Sequence, residues 1–367
     1  MAEGREELFD LGAFAGGAGD LLVTKDQGLK ILVALHAVIF KDRHDCLRIR
    51  YVYIITPLSQ FFQSFRNFLI ISFHAIVLGK GNRPTVKSEM KKLRTFNSQQ
   101  IRRFQKLVFN HYRRNKRKLP WRKTRDPYKI LLSELMLQQT QVSRVIEKYK
   151  EFLRRFPRIE SLARAPLRDI LEVWQGLGYN RRAVSLKRLA TIIVDDHEGK
   201  IPPDIEALQA LPGVGAATAG AVCAFAFNKP AIFVETNIRS VFIHHFFHDR
   251  DGVKDNEILP LVAQTLDEKR PRQWYYALMD YGVSLKEQHP NPNRRSAHYT
   301  KQSPFEGSLR QVRGMILKTL VKDPGMTEAV LAQEINRDVD RVGQCLQQLC
   351  KEGFILKKGK RFFIPDR

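Results

Sequence analysis

The stretch "LPGVGAATAGAVCAFAFNKPAIFVETNIRSV" runs from Leu211 to Val241 and decides how the chain is read. Gly213 and Gly215 bracket a single residue, small and apolar residues follow, and a lone acid, Glu235, stands twenty residues after Gly215. A glycine turn between two helices lets backbone N–H groups point outward together, with no side chain to block a phosphate. The second helix adds its positive N-terminal end. The reading is a helix-hairpin-helix clamp, formed by Leu211, Gly213, Val214 and Gly215, that holds DNA without reading its sequence. A nucleotide phosphate loop would need Lys after Gly220, and Ala221 stands there. A dinucleotide fingerprint needs another spacing and a preceding strand. The five letters alone also fit a plain helix–helix turn.

The charge supports the clamp. The 367 residues carry a net charge of +24, and 43% are apolar. That points to a polyanion partner, nucleic acid first and an acidic membrane second, on a chain able to build a core. The four cysteines, Cys46, Cys223, Cys345 and Cys350, include no C-x-x-C pair and nothing like a zinc or iron–sulfur framework. Cys223, among Ala, Val and Phe, reads as a small core residue in a protein of a reducing, cytoplasmic compartment, without disulfides.

Outward from the clamp, the pattern from Ile101 to about Asp280 is helical, with apolar residues at spacings of three and four. Short Pro- or Gly-bearing connections such as "WQGLGYN" punctuate it. This predicts a mainly α domain of about ten helices over residues 90–285. The segment "MKKLRTFNSQQIRRFQKLVFNHYRRN", from Met90, reads as an amphipathic basic helix capped by Asn97 or Ser98. Residues 1–89 differ in character: their apolar runs are shorter than the ~20 residues of a membrane span and show no signal-peptide pattern. They are read as an over-extended frame before a native start at Met90, the alternative being a membrane-associating extension. Residues 286–308 are basic and rich in Pro, Asn and Ser, a linker or a loop along something negative. In 309–367, helical patterns at Leu309–Val321, Thr327–Ile335 and Val339–Glu352 precede "GFILKKGKRFFIPD", a hairpin with a basic tip. That order predicts a winged-helix module, either a second DNA contact or a packing module.

A second acid stands out in "SELMLQQTQV", Ser133–Val142. Glu134 has Leu131, Leu132, Leu135, Met136 and Leu137 as neighbours. A carboxyl in such surroundings has a raised pKa and can serve as a general acid near neutral pH. Alone, it would read as a helix-surface Glu.

The segments "PWR" (Pro120–Arg122), "SELMLQQTQV", "WQGLGYNRRA" (Trp174–Ala183), "LPGVGAATAGAV" and "ALMDYG" (Ala277–Gly282), in that order and spacing, resemble the helix-hairpin-helix DNA glycosylases, closest to the A/G-specific adenine glycosylases of the MutY type. The likeness covers about residues 100–285. It implies a fold of two helical lobes that flips a nucleotide from double-stranded DNA carrying a mismatched or damaged base. It also implies roles. Glu134 matches the acid that protonates the leaving adenine. Glu235 matches the carboxylate that stabilises the oxocarbenium-like sugar, and Asn237 an Asn beside that sugar. Trp121 and Arg122 match residues lining the base pocket. Gln139 and Tyr179 match side chains that wedge into the duplex, with Thr140 beside them.

The departures from the family matter as much. Glu235 stands where the family has Asp, which implies a pocket shifted to the longer side chain, in which Asp would be the poorer residue. Ala217 stands where bifunctional relatives carry a Schiff-base lysine, so no lyase step is expected. The cysteines that hold an iron–sulfur cluster after "MDYG" are absent, and no cofactor or metal is expected. "NPNRRSAHYTKQ" stands there, with Arg294 and Arg295 as DNA contacts alongside His298 and Lys301. The winged helix replaces the family's C-terminal domain. The implied function is a monomeric, monofunctional, nucleoid-associated glycosylase that removes adenine opposite guanine or 8-oxoguanine. The alternatives are a thymine/uracil mismatch glycosylase, a catalytically impaired lesion-binding protein, and a winged-helix regulator, which would leave Glu134 and "LPGVG" idle.

Overall fold

Asn97 opens the first long helix. Its Oδ1 accepts from the backbone N–H groups of Gln99 and Gln100, and Gln100 Oε1 accepts from Asn97 N at 2.9 Å, a complete capping box. Helix α1 (Ser98–Asn115) then buries Phe104, Val108 and Tyr112, one residue per turn. The structure, a computed structural model, describes residues 95–365 and the backbone of two antiparallel strands, β1 (His36–Lys41) and β2 (Leu47–Val52), in which His36 faces Val52. The reading of residues 1–89 as an extension otherwise lies outside the described residues. The chain falls into two compact units, 1–90 and 91–367.

Ten more α-helices follow α1 up to residue 288. They are α2 (Pro127–Leu137), α3 (Val142–Arg155), α4 (Ile159–Arg164), α5 (Leu167–Trp174), α6 (Arg181–Asp196), α7 (Ile205–Ala210), α8 (Ala216–Phe225), α9 (Thr236–Phe246), α10 (Asp255–Thr265) and α11 (Pro271–Gln288). Helix α2 is capped by Asp126 with Pro127 in the first turn, and it is apolar nearly all round, so it runs through the core. It packs on α3, α6 and α8, while α1, α9, α10 and α11 form a second group. These are the two helical lobes. Among the described residues, no helix is long and apolar enough to cross a membrane.

Two glycines allow close packing beside the site. Gly220, inside α8, lies where a Cβ would come within 2.7 Å of the Phe233 ring. Gly282, inside α11, lies where a Cβ would collide with the Asn237 carbonyl. The N-terminus of α9 is therefore seated directly on α11.

The 286–308 segment is more ordered than its composition suggests. Helix α11 continues to Gln288, and Pro292–Arg295 form a 3-10 turn. The buried Asn293 pins that turn to α9 by donating to Thr236 O (2.8 Å) and Ser240 Oγ (2.5 Å). A Pro- and Asn-rich sequence became structure because the asparagine amide satisfies buried acceptors on a neighbouring helix.

The winged-helix region holds α12 (Leu309–Lys322), α13 (Glu328–Glu334), α14 (Val339–Lys351) and the hairpin β4 (Leu356–Lys358)–β5 (Arg361–Phe363). A two-residue strand, β3 (Met326–Thr327), adds to β5, giving the sheet order β3-β5-β4. Thr327 both ends β3 and caps α13, so the helix begins at Glu328 and the sequence reading missed the strand. The module docks on the glycine-turn lobe. Arg168 donates to Val321 O at 2.7 Å, and Glu352 receives both Arg181 and Arg313 at 2.6 Å. Arg181 first, then Arg313, hold the Glu352 carboxyl down at about 2.

Candidate active site and DNA-facing turns

Glu134 faces the centre of the site from the third turn of α2. It keeps partial access to solvent, but protein crowds it: burial, and then the charge of Glu235, push its carboxyl up to about 8, against a smaller opposing effect of Arg122. At neutral pH it therefore holds a proton.

Glu235 meets it from the start of α9, where it is the N-cap. Its side chain folds back so that Oε1 accepts from Asn237 N (2.7 Å) and Ile238 N (2.8 Å), while Oε2 accepts from Asn237 Nδ2 at 3.0 Å. Three N–H donors at a helix N-terminus suit an anion. The side-chain oxygen Oδ1 of Asn237 in turn accepts from Lys286 Nζ at 2.6 Å. Lys286 belongs to α11, one turn after Gly282, and the sequence reading gave it no role.

Trp121 and Arg122 lie on a 3-10 turn, Pro120–Lys123. Trp121 is buried, its ring edge-on to Tyr149, and forms a wall of the core. Arg122 grips the buried Asp280 with two bonds of 2.7 and 2.8 Å and lies 4.5 Å over the Tyr276 ring. Arg117 adds a second cation on Asp280 at 2.5 Å. The two guanidinium groups outweigh burial and hold the Asp280 carboxyl below its usual range. Asp280 sits within "ALMDYG", yet nothing local in that segment signals a partner more than 150 residues away. Arg122 and Tyr276 also line a cavity of about 670 Å³ with Lys116, Arg125 and Arg272. No carboxylate lines it, so it suits an anion better than a neutral base.

The glycine turn is formed as read. Leu211 ends α7, Gly215 is the N-cap of α8, and Gly213 takes φ +80°, where a Cβ would press on Ser185 at 2.7 Å. Leu211 and Val214 are buried, while Gly213 and Gly215 are exposed, so any phosphate here meets backbone. Gln138 Nε2 donates to Gly213 O at 3.3 Å, joining this turn to the one after α2.

Gln139 and Tyr179 each take a left-handed backbone, φ 53° and 48°. Such strain at non-glycine residues persists only where the surroundings over-determine it. Arg182 supplies the constraint. From a site 8% exposed it donates to the carbonyls of Leu135, Met136, Gln138, Leu177 and Gly178 and to Thr140 Oγ1, at 2.6–3.1 Å. One guanidinium thus staples the turn bearing Gln139 to the turn bearing Tyr179. Arg182→Met should cost about 2–3 kcal/mol, because several buried carbonyls lose their donor at once. Urea unfolding measures this, and a loss under 0.5 kcal/mol would show that the staple is slack. Beyond the turns, Gln302 Nε2 contacts the Tyr179 hydroxyl, and Arg310 Nη1 donates to that hydroxyl at 3.0 Å.

Arg295 Nη1 donates to His248 O at 2.6 Å and the Arg295 carbonyl accepts from Val253 N, so this residue ties the 3-10 turn to the body of the protein. Its neighbour Arg294 is exposed.

Residues 132–260 match the HhH-GPD superfamily base excision DNA repair protein family, and residues 309–355 the winged helix-turn-helix DNA-binding family. The adenine DNA glycosylase of Mycobacterium tuberculosis is 46% identical over 286 residues, covering 69% of this chain and 91% of that protein. That of Buchnera aphidicola is 36% identical over 187 residues, covering 50% of this chain and 52% of its own length. Among solved structures, a thermostable thymine-DNA glycosylase aligns with a TM-score of 0.48 at 27% identity, over 52% of this chain and 90% of that one.

Proposed function

Because the chain belongs to the adenine DNA glycosylase family, we propose that it hydrolyses the N-glycosidic bond of adenine mispaired with guanine or 8-oxoguanine, as a step of base excision repair. The observation that carries the reading is the carboxyl pair. Burial and the charge of Glu235 push Glu134 toward its protonated form, and Glu235 accepts from three N–H donors. An acid that keeps its proton, facing a second carboxyl seated by N–H donors, divides the work of acid and charge stabiliser.

The steps follow from that division. A flipped adenine meets Glu134, which gives its proton to a ring nitrogen. The C1′–N bond breaks with its electron pair leaving on the base. The positive sugar forms beside Glu235. Both lone pairs of Glu235 Oε1 are used by backbone N–H groups, so Oε2, with one neighbour, is the oxygen left for the sugar. Water then adds to C1′ and the acid is restored.

The glycine turn grips phosphate through Gly213 and Gly215. Gln139 and Tyr179 fill the gap left by the flipped base, with Thr140 beside them, and Arg122 borders the base pocket with Trp121 behind it. Ala217 offers no amine, which supports a monofunctional enzyme. The chain works without an iron–sulfur cluster, a reading supported by four scattered cysteines and by the Asn293 anchor of the segment after α11. Residues 90–285 act as the glycosylase domain, 286–308 as its connection, and 309–367 as a docked winged helix, in a monomer of the cytoplasm.

A panel of duplexes carrying adenine, thymine or uracil opposite each base tests the proposal. Adenine release opposite guanine or 8-oxoguanine, at least tenfold above the other targets, is expected. Release of thymine or uracil in preference would replace the substrate, and binding without release would reduce the protein to a lesion binder.

A further inference from the structure

We propose that Lys286 is a positioning residue for base release: through Asn237 it sets the orientation of Glu235 and keeps the negative charge of the carboxyl pair on Glu235 and the proton on Glu134. The inference rests on the two-carboxyl reading above and assigns a role to a side chain outside every motif that led to it.

The argument starts with the amide. The Asn237 side chain could turn either its oxygen or its nitrogen toward Glu235. Turned one way, its N–H donates to Glu235 Oε2, as observed; turned the other, two acceptors would face each other. Lys286 has only donors to offer, and it meets the Asn237 oxygen at 2.6 Å. The ammonium thus selects the amide orientation that gives Glu235 its third N–H. A neutral or shorter residue at 286 would leave that choice open.

Helix geometry makes the contact obligatory. Lys286 lies four residues after Gly282 on the same face of α11. Gly282 is the point where α11 touches the Asn237 backbone too closely for any Cβ. The lysine therefore emerges one turn along the same contact, directed at the same residue.

The charges around the pair leave Lys286 as the cation in this hydrogen-bond chain. Glu134 faces Glu235 from α2. Arg122, from the 3-10 turn, and Arg117, from the loop after α1, are both bound to Asp280. Arg239, on α9 itself, is bound to Asp255 by bonds of 2.6 and 2.7 Å. Beside Lys286 on α11 stands Glu287. Burial, with a smaller push from the charge of Arg117, lowers the Lys286 ammonium below its usual range, and the charges that pull it back are Glu235 first and then Glu287. The Glu235 carboxyl thus favours the charged Lys286, and Lys286 holds the Asn237 amide in the orientation that donates to Glu235.

The test uses the full chain with Lys286→Met, Lys286→Gln and Lys286→Arg. Single-turnover adenine release is followed from pH 5 to 9, and affinity for an undamaged duplex is measured at several salt concentrations. Met should slow release at pH 7 by roughly tenfold or more, on the scale expected when a reacting group is misplaced. It should also move the acid limb of the rate profile upward by about one pH unit. Gln, a donor without charge, should recover part of the rate but keep the shifted limb, and Arg should restore both. A Met variant with an unmoved pH profile overturns the proposal, whatever its rate, because a mere brace would lower the rate at every pH alike. A weaker salt dependence of duplex binding with the profile unmoved overturns it in favour of a phosphate contact. If the wild-type protein releases no base from any duplex, the functional reading fails instead. The Lys286 claim is then read from carboxyl NMR titration of the DNA-free protein, in which the Met variant should take up the pair's protons at higher pH than wild type, and identical titrations overturn it.

Discussion

Glu134→Gln should stop adenine release while leaving duplex binding at the wild-type level. Gln fills the same space on α2 and cannot give up a proton. A positioned general acid is worth about a hundred- to ten-thousandfold in rate, so single-turnover release should fall by that much. A variant within threefold of wild type would remove Glu134 from the mechanism. The pH profile is a second check. Burial and Glu235 raise the Glu134 carboxyl from 4.5 to about 8. The acid form is the active one, so wild-type release should hold at neutral pH and decline as pH rises through about 8. The same shift acts on stability. The folded carboxyl keeps a proton that the unfolded chain releases above about 4.5, so its stability contribution is full below that pH and is lost as pH rises through 8. Gln carries no such linkage. The inactive variant should therefore unfold at higher urea concentration than wild type at pH 9, with the gap closing near pH 5.

What was legible in the sequence was local. The glycines of "LPGVG" announce a turn because only that backbone needs them, and Glu134 is conspicuous as an acid among leucines. Asn97 reads as a cap three residues before a glutamine. Distant partners left no such trace. Asp280 binds Arg122 across 158 residues, Lys286 reaches Asn237 across 49, and Arg182 collects carbonyls from two separate turns. Each of these is an ordinary helix-surface residue until the fold sets its neighbours. Arg295 is a similar case: a basic residue in a basic loop gives no sign that its guanidinium also reaches the carbonyl of His248, 47 residues away. Strand β3 was hidden because two residues carry no period. Glu235 stood out as a lone acid in an apolar stretch and took its role from the family position, yet its capping role was not legible, since Glu is not among the residues that favour an N-cap.

That capping role changes the expectation for Glu235→Asp. From sequence, a pocket shifted to the longer side chain made Asp the poorer residue. In the structure the carboxylate is seated by two backbone N–H groups, Asn237 and Ile238, the second and third residues of α9. Asp is a preferred N-cap and bonds the same two groups with its shorter chain. The donors, more than the side-chain length, fix where the charge sits. Asp should therefore keep helix α9 intact and stay within about tenfold of wild-type release, well short of the hundredfold that an ångström of misplacement can cost. Glu235→Gln should behave differently. Its oxygen can still accept the two backbone bonds, but its NH2 then faces Asn237 Nδ2, donor against donor. Relief requires the Asn237 amide to turn, which sets its NH2 against the Lys286 ammonium, also a donor. The change removes the anion beside the developing sugar cation and frustrates the chain that oriented it. Loss of one such electrostatic group is worth about 3–4 kcal/mol, or roughly a hundred- to a thousandfold in single-turnover release. An Asp variant as slow as the Gln variant would mean that length, not the capping seat, places the charge. Wild-type rates in both would make Glu235 a helix cap and nothing more, and would leave the sugar cation to another carboxylate.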